Sequence, residues 1–288
     1  MNYIFHYFKM TRPLNVILSG VSVLIAAYLM HNNDYQLIYV TSIVVMLFCA
    51  FANIINDLFD INTDKINKPQ NHPFNFYTLN IYQKKYSSFL IFILLLILIP
   101  LLIAHNYFDK NSIIYLYIIF FLIIIYTPCL KGTPLVGNII ISHIVSSVFI
   151  ITELILENSF CKILFYPIIL TFMLTFIREL AKDIDDIKGD KSAGLKTFPV
   201  LFGIKYAKYV LTILTTVLII VSIYPYYLNI YPNQYLFLLV LLVHIPLIGC
   251  IFYLWKYPDF QTSRVLTIST KYITIGGIIT ILSTKLLG

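Results

Sequence analysis

From Phe89 to Ala104 the chain reads FLIFILLLILIPLLIA without one polar side chain, and from Ile113 to Tyr126 it reads IIYLYIIFFLIIIY. A helix rises about 1.5 Å per residue, so runs of this length cross most of a hydrocarbon core of roughly 30 Å. Similar windows recur near residues 14–30, 35–56, 88–104, 112–128, 134–152, 163–182, 206–225, 234–255 and 265–286, which predicts nine spanning helices. The runs lack the two-residue alternation of a membrane barrel, and lipid leaves backbone groups no partner except their own helix. The expected fold is an all-α integral membrane bundle, a single polytopic domain over 1–288. With 59% hydrophobic and 11% charged residues, the composition excludes an ordinary soluble domain. The first run continues at full spanning length without a small-residue cleavage site, so it reads as a retained helix. Pro100, Pro167 and Pro246 fall inside or beside runs and blur their boundaries.

A net charge of +7 could point to nucleic acid, but the basic residues sit in short loops beside apolar runs, where membrane topology explains them. Sixteen of the twenty Lys and Arg lie on the N-terminal arm or beside the connections after the second, fourth, sixth and eighth runs; only Lys110, Lys162 and Lys285 lie on the other side. This bias predicts that the N-terminus and those connections are cytoplasmic in a multi-pass protein of the cell membrane. Cys49, Cys129, Cys161 and Cys250 are far apart, with no metal-ligand or paired spacing, and read as small apolar residues.

Two polar stretches break the pattern. The second run ends in NIINDLFDINTDKINKP (Asn53 to Pro69), and the sixth in RELAKDIDDIKGD (Arg178 to Asp190). Asn53, Asp57, Asp60 and Asp64 are matched in spacing by Glu179, Asp183, Asp186 and Asp190 after a uniform shift of 126 positions. At helical pitch each set falls on one face. Idle charges are rare beside hydrocarbon, so two stripes of one design predict two similar halves sharing a site and a cavity open to the cytoplasmic side.

Clustered carboxylates repel one another and take up protons unless cations neutralise them. An oxygen-only donor set without histidine or thiol selects a hard cation, and Mg²⁺ commonly holds one or two carboxylates while sharing phosphate oxygens. Arg178, Lys182, Lys68 and Lys131 stand around the stripes, suited to the remaining phosphate charge. Behind them the runs are apolar and aromatic. The implied ligand has an anionic head and a long hydrocarbon tail.

NDLFDINTDKINKP resembles the first aspartate motif of the UbiA-type intramembrane prenyltransferases, and KDIDDIKGD resembles the second. Arg12 and Pro13 near the N-terminus and the turn YTPCLK, from Tyr126 to Lys131, extend the likeness over nearly the whole chain. RELAKDIDDIKGDKSAGLKTFP, with Gly194, Thr197 and Pro199 after the motif, most resembles the branch that makes digeranylgeranylglyceryl phosphate. After Asn67-Lys68-Pro69 the chain reads QNHPFNFYTLN, where such relatives carry an Arg-Pro and a Pro-Ser-Gly turn.

The resemblance implies that Asp57, Asp60, Asp64, Asp183, Asp186 and Asp190, with Glu179, hold Mg²⁺ on a prenyl diphosphate. Asn53, Asn56, Lys68, Tyr126, Lys131, Arg178, Lys182 and Arg12 would bind the diphosphate. The group transferred would be geranylgeranyl and the acceptor the hydroxyl of geranylgeranylglyceryl phosphate, in ether-lipid synthesis. An aromatic acceptor of quinone synthesis stays open at this stage, as does, outside the enzymes, a cation transporter with a midplane ion path. His143 and His244, inside apolar runs, read as packed, hydrogen-bonded side chains. Asp185 points away from its neighbours' face.

Overall fold

Helices account for every spanning run in a computed structural model, which describes residues 8–60, 66, 86–157, 162–257 and 261–286. They are α1 (Pro13–Met30), α2 (Tyr35–Phe59), α3 (Tyr86–Tyr107), α4 (Lys110–Ile125), α5 (Val136–Glu157) and α6 (Lys162–Asp185). Short helices α7 (Ile187–Ser192) and α8 (Phe198–Phe202) lead to α9 (Ile204–Tyr227), α10 (Asn233–Leu239), α11 (Ile245–Lys256) and α12 (Gln261–Leu286). Nine helical spans among the described residues are long and apolar enough to cross a membrane. The expected all-α, multi-pass architecture is therefore the observed one.

Local chemistry sets the helix ends. The Asp34 carboxylate accepts from Leu37 N–H and starts α2, and Asp109 accepts from Asn111 and Ser112 N–H and starts α4. Pro13 opens α1, where its missing N–H costs nothing. Arg12, just before it, takes a left-handed conformation, φ 54° and ψ 71°, which a side chain tolerates only when its surroundings hold it. Pro100 and Pro167 lie within α3 and α6 without ending them, whereas Pro246 sits in the first turn of α11.

The described chain forms two compact units, Met1–Cys129 with Ser147–Cys161, and Leu130–Ser146 with Lys162–Gly288. In the first, α2 packs against α1, α3 and α4. Its core gathers Val23, Val44, Phe48, Ala104, Leu116 and Ile151, with the Phe120 ring 5.6 Å from Phe48 and 5.5 Å from Phe51. In the second, α6 packs against α9 and α12. Ile177, Leu180, Ala181 and Ile184 of α6 are all buried, and their i, i+3, i+4, i+7 spacing makes one continuous apolar stripe. The carboxylates of α6 occupy other positions of the same turns. Leu98, Leu102, Ile118 and Phe121 on α3 and α4 are exposed, as lipid-facing surfaces require.

Two spans contain π-helical segments, Tyr126–Leu130 after α4 and Val240–His244 between α10 and α11. The second lies in a run where one unbroken helix is expected. There Gly276 of α12 comes so close that a Cβ would stand 2.9 Å from both the Leu242 Cβ and its carbonyl oxygen. His244 in this segment is buried, and its Nε2 lies 2.8 Å from Ser222 Oγ, the packed, hydrogen-bonded histidine the sequence predicts.

Candidate active site

Helix α2 runs three residues beyond its expected end at 56, so Asp57 lies in the last turn and Asp60 caps it, its N–H bonded to the Asn56 carbonyl at 3.0 Å. Both aspartates are buried. The N-terminal arm is tied onto this turn. Asn53 Nδ2 donates to the Thr11 carbonyl at 2.9 Å, and the Arg12 guanidinium pairs with the Asp57 carboxylate. Asn56 is engaged from the π turn after α4, where Thr127 Oγ1 donates to its Oδ1 at 3.3 Å. Tyr126, in the same turn, is half-buried. Asp64 and Lys68 lie outside the described residues.

In the second unit α6 extends through Asp185, three residues beyond expectation. The chain turns at Asp186 yet keeps helical spacing across the break: Asp186 N–H bonds to the Lys182 carbonyl at 2.8 Å, and Asp190 N–H to the Asp186 carbonyl at 3.0 Å. Asp183, Asp186 and Asp190 thus follow one another at near-helical pitch although two helices carry them. Glu179, one turn earlier, is buried between cations, with Arg178 Nη1 at 3.0 Å from Oε1 and Lys182 Nζ at 3.9 Å from Oε2. Arg178 Nε is buried without a hydrogen-bond partner among the described residues.

Helix α7 ends on Gly194, φ 71°, in a left-handed turn. Gly194 N–H bonds to the Lys191 carbonyl and Leu195 N–H to that of Asp190, the paired bonds of a Schellman cap. This turn sends the chain back over the motif. Thr197, buried, donates from Oγ1 to Asp190 Oδ2 at 3.2 Å, and Lys196 N–H bonds to the Gly132 carbonyl, tying the loop to the residue after Lys131. Burial pushes the Asp190 carboxyl up to about 6; the Lys131 charge and the Thr197 hydroxyl oppose the rise and Asp186 adds to it.

Asp183 has a partner that the sequence does not announce. Asn138, buried in the first turn of α5, donates from Nδ2 to Asp183 Oδ2 at 2.8 Å. An isolated amide in VGNIIISHI is its only trace in the sequence, and such a residue reads as interhelical glue.

The aspartates and Glu179 offer a metal ion only oxygen atoms. Among the described residues no three His, Cys, Asp or Glu side chains are grouped to hold an ion by themselves. An oxygen-only ligand set suits Mg²⁺, which completes its shell with water and phosphate oxygens. It does not suit a structural zinc site, which is built on sulfur and nitrogen ligands. In each unit taken by itself, carboxylates and basic side chains gather at helix ends beside apolar spans.

Comparison with known proteins agrees with this chemistry. Residues 16–274 match the UbiA prenyltransferase family. The digeranylgeranylglyceryl phosphate synthase of Methanosphaera stadtmanae is 30% identical over 82% of this chain and 83% of its own length. The enzyme of the same name from Methanobrevibacter smithii is also 30% identical, over 95% and 94%. A solved structure of a digeranylgeranylglyceryl phosphate synthase superposes with a TM-score of 0.70 at 26% identity, covering 99% of each chain. A UbiA homologue from Archaeoglobus fulgidus, solved with DMAPP and Mg²⁺ bound, gives a TM-score of 0.65 over 96% of this chain and 99% of that one; at 17% identity it speaks to the fold alone. On its motifs, its helices and these matches, the chain belongs to the UbiA prenyltransferase family.

Proposed function

We propose that this protein transfers a geranylgeranyl group from its diphosphate to the hydroxyl of geranylgeranylglyceryl phosphate, forming the second ether bond of an isoprenoid ether lipid. The observation that carries the reading is the match, at 30% identity over more than four-fifths of both chains, to relatives named for that synthesis. The whole chain, 1–288, acts as one catalytic domain. The Lys and Arg bias supports a cell-membrane protein whose N-terminus and motif ends face the cytoplasm.

In the reaction the bond between C1 of the prenyl chain and the diphosphate oxygen breaks, and pyrophosphate leaves with the electron pair. The acceptor hydroxyl oxygen bonds to C1 and gives up its proton. Asp57, Asp60, Asp64, Asp183, Asp186 and Asp190, with Glu179 beside them, would hold Mg²⁺. When bound, the metal neutralises the diphosphate and stabilises the departing pyrophosphate. Lys131, Lys182 and Arg178, with Arg12 and Lys68, balance the phosphate charge, and Asn53, Asn56 and Tyr126 orient it. Apolar helix faces keep water from the allylic cation, which water would otherwise quench to the alcohol.

The test supplies purified protein in liposomes with geranylgeranyl diphosphate, Mg²⁺ and either geranylgeranylglyceryl phosphate or an aromatic quinone precursor. Pyrophosphate release with a diether product of the expected mass, lost in Asp60→Ala and Asp186→Ala, is the expected result. An aromatic adduct without any glyceryl ether would overturn the acceptor assignment. Release unchanged in both variants would overturn the site.

A further inference from the structure

The side chains that hydrogen-bond Asp57, Asp183 and Asp190 differ in charge. Asp57 faces a cation, Arg12. Asp183 and Asp190, the outer members of the second motif, are each held by a neutral donor: Asn138 Nδ2 at 2.8 Å and Thr197 Oγ1 at 3.2 Å. Each donor engages Oδ2, so Oδ1 of each aspartate accepts no hydrogen bond among the described residues. Asn138 and Thr197 are themselves buried and come from separate elements, the first turn of α5 and the residue preceding α8.

Neutral donors have a chemical consequence that a cation lacks. A lysine or arginine at either place would cancel the carboxylate charge and compete with a metal ion. An amide or hydroxyl fixes the rotamer and one oxygen while leaving the negative charge and the second oxygen available. Outer hydrogen bonds of this kind orient metal-binding carboxylates.

We infer that Asn138 and Thr197 are positioning residues of the second aspartate motif, each fixing Oδ2 of its aspartate so that Oδ1 is presented to Mg²⁺. The inference rests on the proposed reading of Asp183 and Asp190 as metal ligands. Both act through the carboxylates they hold.

The experiment measures Mn²⁺ binding to the full chain by electron paramagnetic resonance, with inorganic pyrophosphate present, alongside the thermal midpoint. Thr197→Val and Asn138→Leu should each weaken Mn²⁺ binding by about 10- to 100-fold, while Thr197→Ser, which keeps the hydroxyl, should bind like the wild type. Asn138→Ser, shorter than asparagine, substitutes for Asn138→Leu where that protein does not fold, with the same weakening expected. Lowered midpoints with unchanged Mn²⁺ affinity would overturn the inference, since a purely structural role predicts that pattern. Asp183→Ala and Asp190→Ala separate the two levels. If they lose Mn²⁺ while Thr197→Val and Asn138→Leu retain it, only the positioning role falls; if they also bind normally, the metal-ligand reading falls and takes this inference with it.

Discussion

The guanidinium of Arg12 is paired with the carboxylate of Asp57, forty-five positions later, and the pair closes the N-terminal arm onto the last turn of α2. The Asp57 side chain is 2% exposed and that of Arg12 38%, so the carboxylate bears most of the desolvation and the guanidinium is partly screened. Arg12→Ala is expected to cost about 1–2 kcal/mol, below the value for a fully buried pair because of that screening. Thermal unfolding of Arg12→Ala, Asp57→Asn and the double variant checks this. If the pair acts as a unit, the double variant is less destabilised than the sum of the single ones.

Gly276 and Gly277 are adjacent on α12, yet they should respond oppositely to a methyl group. A Cβ on Gly276 would press on the Leu242 backbone carbonyl, which cannot move without displacing the π segment; a Cβ on Gly277 meets nothing within 4 Å. Helix association in lipid depends on close packing rather than on release of water, so lost contact here is not recovered elsewhere. Gly276→Ala should destabilise by about 1–3 kcal/mol, and Gly277→Ala should stabilise by up to about 1 kcal/mol through helix propensity. Detergent-solubilised thermal melts of the two variants measure the difference.

The contrast also shows what the chain discloses and what it withholds. The spans were legible because lipid demands long apolar runs. The ends of α2 and α6 were not, because both helices continue three residues past the apolar part, through Asp57 and Asp183, where a hydropathy window sees only charge. The π segment at Val240–His244 leaves no mark in a uniformly apolar stretch; it is set by the approach of α12 at Gly276. The spacing of the aspartates repeats visibly along the chain. The contact of Asn138 does not show there, because its partner Asp183 lies forty-five positions away. The family resemblance marks Arg12 as a diphosphate ligand, whereas its pairing with Asp57 depends on an arm conformation that no local pattern specifies.

Gly194 carries the turn that brings Thr197 to Asp190. Its φ of 71° is open to glycine and strained for other residues, while the space around it is empty, so strain alone decides the outcome. Gly194→Ala should cost about 1–2 kcal/mol and loosen the Thr197 hydrogen bond. Gly194→Asn should cost less, because asparagine tolerates the left-handed region. Comparing the melts of the two variants tests the order alanine below asparagine below glycine.

Asp190 gives the reaction a pH dependence whose sign follows from its surroundings. Burial raises its carboxyl from the usual range to about 6, so below that pH a proton occupies a carboxylate of the proposed Mg²⁺ site. Above about 6 this carboxylate is free of the proton and adds nothing to the pH dependence; below it, the concentration for half-maximal pyrophosphate release should climb by up to about tenfold per pH unit. Lys131 is the largest influence holding the value down. Lys131→Ala should therefore shift the onset of the climb to higher pH, whatever it does to the maximal rate. Thr197→Val should shift it the same way, because the Thr197 hydroxyl also favours the charged form. Mg²⁺ titrations from pH 5 to pH 8 on the three proteins test both shifts, and an onset unmoved in Lys131→Ala would show that Asp190 is not the group titrating.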